Sequence, residues 1–289
     1  MEIPQVEHPV RDFAERHHMQ TGEHLAREVL PIRAVSLANI MITAGYASLG
    51  DDILADPAVG LLLNMIHRNF SLADGAILSF ATECGQMAEV AARASVESSV
   101  NIAYIVLGDP PDRLRAYFDH YFATVEKQVN TWNAGIGALS AAEADAHRKA
   151  AAQRKESNAV LRAVIEGSGK PATERWPRTI EERFKALGNA INYRTIYARM
   201  SSEVHGDAEE TLRYLIGKLA SEAQFEAMAL ETVWTTRLYV HYAVSWFVRA
   251  SIMYALRYGL TDAAQRLDLE FKAVEAEMAE ISKHIGASV

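Results

Sequence analysis

Apolar residues recur at three-to-four-residue spacing along nearly the whole chain, and alternating β-branched runs bounded by turn residues are missing. That periodicity predicts helices throughout and no strand. A first helical region covers residues 10–49, with Pro31 set to kink or restart it because proline removes a backbone donor. Asp56-Pro57 joins a capping carboxylate to a proline suited to the first helical position, and opens a helix that runs through residue 80. Gly85 separates it from a helix over 86–107, and Gly108-Asp109-Pro110-Pro111 stops and restarts the chain into an aromatic helix over 112–132. Ser140 with Glu143 has capping-box spacing at the head of an Ala-rich, charged helix ending near residue 166, which is expected to project along the surface. Thr179 with Glu182 repeats the spacing before 183–187. Further helices are expected over 190–204, 209–219, 222–258 and 262–284, with Gly206 and Gly259 as stops.

The expected fold class is therefore all-α, a multi-helix bundle with one surface excursion around residues 133–178. The clearest loop, 167–178, divides the chain, but neither half has an obvious apolar core of its own, so a single helical domain over 1–289 is expected. Within it, 1–56 forms an N-terminal helical region, 57–132 and 179–260 the bundle core, 133–178 the charged helix and loop, and 261–289 a C-terminal helix. No fixed-period repeat points to a solenoid.

Composition narrows the function classes. The 289 residues are 49% hydrophobic and 23% charged, which is globular. A formal charge of −8 disfavours non-specific attraction to nucleic acid or anionic lipid while leaving room for a local basic patch. Cys84 is the only cysteine, which excludes an intrachain disulfide or a cysteine-built zinc site and shows no signature of a nucleophile. Residues 1–24 are rich in Glu, His and Arg and lack the apolar stretch of a secretion signal, so a cytoplasmic location is expected. The longest apolar stretch, 232–260, is interrupted by Arg237, His241, Arg249 and Arg257, and reads as a core helix with no membrane role.

Two helical stripes carry most of the chemical information. Arg93, Glu97 and Asn101 fall four apart, as do Tyr193, Tyr197, Ser201 and His205, so each set shares a helix face. The apolar neighbours of the first stripe suggest burial, and a buried charge needs a partner. The stripes then form either a network that fixes helix register or a polar pocket between helices. Arg199 precedes His205 by six positions. A histidine that exchanges protons near neutrality and an arginine that stabilises a charged phosphate suffice for metal-independent RNA cleavage, although this spacing also arises by chance in helical proteins.

Other patterns offer less. Glu15 and His18 make one Glu-x-x-His with no second copy for a di-iron bundle, and His17, His18 and His24, which could hold a metal only adventitiously, are expected on a solvated terminal face. Gly167-Ser168-Gly169-Lys170 lacks the first glycine of a phosphate loop, and Pro171 stands where Ser or Thr is needed. Trp234, Tyr239, Tyr242, Trp246, Phe247, Tyr254 and Tyr258 read as core or subunit interface, or as an aromatic ligand pocket that Arg237, His241 and Arg249 would line.

The run His67-Arg68-Asn69-Phe70, then Arg93-Ala94-Ser95-Val96-Glu97 through Tyr104, followed by Tyr193, Tyr197 and Ser202-Glu203-Val204-His205-Gly206, resembles the bacterial domain-of-unknown-function family 5677 over roughly residues 60–250. That resemblance implies an all-helical fold and brings no activity. The stretch from Arg199 to His205 also resembles the motif of the HEPN (higher eukaryotes and prokaryotes nucleotide-binding) ribonucleases, Arg and His separated by four to six residues. It implies Arg199 and His205 as the catalytic pair, Ser201 and Glu203 as supporting groups, and two motifs meeting in a homodimer. Met200 departs from it, since a polar residue usually follows the arginine there. The sequence thus points to an RNA-cleaving helical protein or to a non-catalytic module that binds a protein or small ligand. A homo-oligomer is expected, and no residue pattern calls for a cofactor or a metal.

Overall fold

The computed structural model describes residues 8–20, 22–167, 170–200 and 208–285, and every regular element among them is helical. The chain divides into two compact units, 1–107 with 179–289, and 108–178.

In the first unit, Pro9–Arg16 (α1), Glu23–Ala26 (α2) and Val29–Ala47 (α3) replace the single region expected over 10–49. Pro31 falls in the first turn of α3, where its missing N–H is one of the donors a helix leaves unpaired anyway, so it starts a helix without kinking it. After Asp51–Leu54 (α4), the Asp56 carboxylate accepts from the Ala58 amide at 2.9 Å to open Pro57–Ala81 (α5). Gly85–Leu107 (α6) follows.

Beyond the second unit come Ile180–Ala186 (α9) with the full Thr179/Glu182 capping box, and Ala190–Asn192 (α10). Ala208–Leu219 (α11), Glu222–Arg257 (α12) and Thr261–Ser282 (α13) complete the chain. A second capping box, Ser221 with Gln224, starts α12, whose 36 residues extend about 54 Å at the usual helical rise.

The core lies where α12 packs against α6, α5, α3 and α13. Val240, Ala243, Val244, Phe247 and Val248 are fully buried there, against Ala92, Val96 and Val100 of α6 and Leu62 and Ile66 of α5. Two helices, Val29–Ala47 and Gly85–Leu107, are long and apolar enough to cross a membrane, and 56% of each apolar window is buried within the fold.

The second unit is an antiparallel helix pair, Pro110–Gly135 (α7) and Ala141–Gly167 (α8). Val125, Val129 and Ala151 form its small core, the Asn158 amide donates to the Phe122 carbonyl at 3.4 Å, and Arg115 donates to the Ile165 carbonyl at 2.9 Å. The Asp112 carboxylate ties down the following loop, accepting from the Thr173 amide at 2.6 Å and the Glu174 amide at 3.1 Å, and these bonds hold its pKa below the ordinary carboxylate value. Sequence periodicity assigned α7 to the bundle core; it instead buries its apolar face against α8, so the separate body begins at 108 and not at 133.

Gly259 ends α12 with a φ of +76°, a left-handed conformation that sends the chain back into α13. An added Cβ there meets no atom within 4 Å, so only backbone strain opposes a side chain. Gly259→Ala should therefore lower unfolding stability by about 1 kcal/mol, read as a reduced urea midpoint at unchanged slope.

Candidate functional site

The two polar stripes of the sequence meet. On α6 the Arg93 Nε donates to Glu97 Oε1 at 3.2 Å, and the Tyr197 phenol, arriving from the other side of the chain, donates to the same oxygen. The Arg93 guanidinium also lies 5.9 Å from the centre of the Tyr197 ring. Burial first, and then the bond to Glu97, push the Tyr197 phenol above its ordinary pKa, so it acts as a neutral donor. Asn101 sits one turn beyond Glu97, half-buried, with an Oδ1 that has no hydrogen-bond partner.

Aromatic packing holds Tyr197 in place. Its ring stacks on Tyr193 at 5.6 Å, and Phe184 of α9 packs against Tyr193, Tyr197 and Trp246 at 5.9, 5.5 and 5.1 Å. Arg249 covers the Trp246 ring at 5.0 Å and donates to Asn189 Oδ1 at 3.2 Å, joining α12 to the start of the tyrosine segment. Residues Tyr193–Tyr197 form a π-helical turn, a feature that concentrates at functional sites. Tyr197 and Met200 are buried, and Arg199 between them is exposed. Ser201, Glu203 and His205 lie outside the described residues.

Two further ionic clusters escaped sequence reasoning. His17 is not on a solvated face: its Nε2 lies 2.6 Å from Asp74 Oδ2, while Arg16 grips the same carboxylate at 3.0 and 2.7 Å, so α1 is clamped to α5. On α12, Arg237 pairs with buried Glu28 at 3.2 Å and with Glu277 of α13 at 2.9 Å. His241, fully buried, sits with Nδ1 3.0 Å from the Arg237 carbonyl; a carbonyl only accepts, so Nδ1 donates there, and Nε2 is turned to Glu277 at 3.4 Å. Burial raises the Glu28 carboxyl above its ordinary pKa against the pull of Arg237 and His241. Its contact with His241 and the charge of Arg237 lower Glu277 against the opposing effect of burial. The signal in the sequence was Arg237 and His241 one turn apart inside an apolar run, with carboxylate partners too distant along the chain to be read. Among the described residues no three His, Cys, Asp or Glu side chains gather as a metal-binding group.

The profile of a family of unknown function, DUF5677, matches residues 59–222, more than half of the chain. This chain belongs to that family. The DUF5677 segment takes in α5, α6, the whole second unit, the Tyr193–Tyr197 turn and α11, and with them Arg93, Glu97, Tyr197, Arg199 and His205. It stops at the head of α12, short of the residue 250 to which the resemblance was traced, and the Glu28, Arg237, His241 and Glu277 cluster lies outside it. No curated protein and no solved structure matches this DUF5677 chain.

Two variants check these interactions. Tyr197→Phe removes a bond to a partly exposed carboxylate and should cost about 1 kcal/mol in urea unfolding. Glu277 has a folded pKa below its ordinary 4.5, so its contribution is present above that value and fades as pH falls through the depressed one. Glu277→Gln should accordingly lose about 1–3 kcal/mol at pH 7, with the gap to wild type narrowing in unfolding curves taken at successively lower pH below 4.5.

Proposed function

We propose that this DUF5677 protein is a cytoplasmic, metal-independent ribonuclease using Arg199 and His205. The observation that supports the reading is the placing of Arg199: an exposed residue in the helical segment just past the Tyr193–Tyr197 turn, beside Met200 and two positions from Tyr197, which are sealed in the core at 0% and 3% exposure. Anchored neighbours limit how far the arginine backbone moves, the preorganisation that stabilising a charged transition state requires. The sequence then puts His205 six residues on.

In this reading His205 takes the proton from a ribose 2′-hydroxyl. The 2′-oxygen attacks the adjacent phosphorus, Arg199 stabilises the charge on the pentavalent phosphorane, and the bond from phosphorus to the 5′-oxygen breaks. The leaving oxygen takes a proton from water, and the products are a 2′,3′-cyclic phosphate and a 5′-hydroxyl. With a chain charge of −8, RNA is held by local contacts and not by a general field. The network of Arg93, Glu97 and Tyr197 positions the turn and does not touch the reacting atoms.

A second reading, a non-catalytic module that binds another protein, is favoured by α11. Leu212, Leu215, Ile216 and Leu219 recur at spacings of three and four on one helix face and are 54%, 53%, 52% and 80% exposed.

Wild type, Arg199→Ala and His205→Ala, matched in helicity by circular dichroism, separate the two readings. Incubated with mixed single-stranded and structured RNA in the presence of a metal chelator, wild type should give fragments ending in 2′,3′-cyclic phosphate. Each variant should be slower by at least about 100-fold. Absence of cleavage by wild type, or cleavage that survives both substitutions, transfers the case to the binding module.

A further inference from the structure

Beside α2 and the start of α3, the end of α5 and the first half of α12 enclose a cavity of about 490 Å³, in the size range of small-molecule sites. One wall is apolar, built from Phe80, Leu230, Val233 and Trp234. Leu230 and Val233 are 56% and 52% exposed at its mouth, an apolar surface that a ligand would take from water. Trp234 is fixed in advance, stacked on His284 at 4.3 Å and 14° and approached by the Arg237 guanidinium at 5.6 Å from its ring centre.

The polar side is unequal. Arg237 forms an ion pair through its buried Nε with Glu28 Oε1 at 3.2 Å, and one terminal nitrogen donates both to the Arg27 carbonyl and to Glu277 at 2.9 Å. Glu28 is 3% exposed, and its Oε2 has no hydrogen-bond partner. A buried acceptor without a donor is costly, and burial pushes this carboxyl up for the same reason. Glu83, exposed, adds a second carboxylate to the lining, while Arg27 and His24 are the exposed basic groups. With Glu277 behind Arg237, three carboxylates stand against two arginines. A carboxylate ligand would find the Arg237 charge already paired with Glu28 and Glu277, its Nε buried, and Glu28 opposing it.

We propose that this cavity binds a small organic amine, its apolar body against Phe80, Leu230, Val233 and Trp234 and its ammonium donating to the Glu28 carboxylate. The site is separate from Arg199 and lies largely outside the segment that the family profile matches.

The full chain is titrated at pH 7 with phenethylamine, 2-phenylethanol and 3-phenylpropionate, three probes of similar shape that differ in charge, by calorimetry and saturation-transfer NMR. Phenethylamine should bind at least about tenfold more tightly than either competitor, and Glu28→Gln should weaken it by a similar factor. Because Glu28→Gln also disturbs Arg237, Val233→Trp serves as an independent block: it fills the mouth without touching the ion pair, and should abolish phenethylamine binding at unchanged helicity. Equal or tighter binding of phenylpropionate, no phenethylamine binding below roughly 10 mM, or binding that survives Val233→Trp overturns the proposal.

Discussion

A positive charge buried on α12 has to be answered by other helices, and much of the first unit is arranged around the answer. Arg237 lies in a helix of which about the next five turns are almost wholly enclosed, where an unpaired guanidinium would be severely penalised. Glu28 reaches it from the head of α3 and Glu277 from α13, and His241, one turn on, shares Glu277. Three helices are thereby held in one register. The same device recurs where Arg16 and His17 close on buried Asp74, and where Arg33 meets buried Glu270 at 3.0 Å. Apolar packing supplies the driving force for burial, but it tolerates sliding; these pairs do not.

The register of α12 is transmitted to the candidate site. Trp246 and Arg249, two to three turns past Arg237, meet Phe184 and Asn189, and those contacts seat the π-helical turn that delivers Tyr197 to Glu97. The outcome is a contrast between close positions: Tyr197 and Met200 serve as buried anchors, and Arg199 between them is exposed. A site built this way draws its geometry from the core and its chemistry from the surface.

Several features were legible because they are local. Asp56-Pro57 and Thr179 with Glu182 act within one helical turn, and both start helices as expected. The stripes of Arg93 with Glu97 and Tyr193 with Tyr197 followed from helical spacing. Their meeting, 100 residues apart in sequence, was an open alternative until the fold joined them. Illegible features depended on which helix packs against which. Periodicity shows that α7 has an apolar face and not that α8 covers it, and nothing near Arg16 announces Asp74 58 residues on. Nor did the break of residues 10–49 into three helices show in spacing alone, since short interruptions between apolar positions preserve the pattern.

The most direct test of the account follows Arg199 and His205 themselves during binding. An oligoribonucleotide with 2′-O-methyl groups cannot be cleaved by 2′-oxygen attack, so it holds the complex while the arginine and histidine side-chain NMR signals are recorded. The account predicts shifts concentrated at Arg199 and His205, with the indole signal of Trp234 unmoved. No binding, or shifts centred elsewhere while those two side chains stay silent, would contradict it.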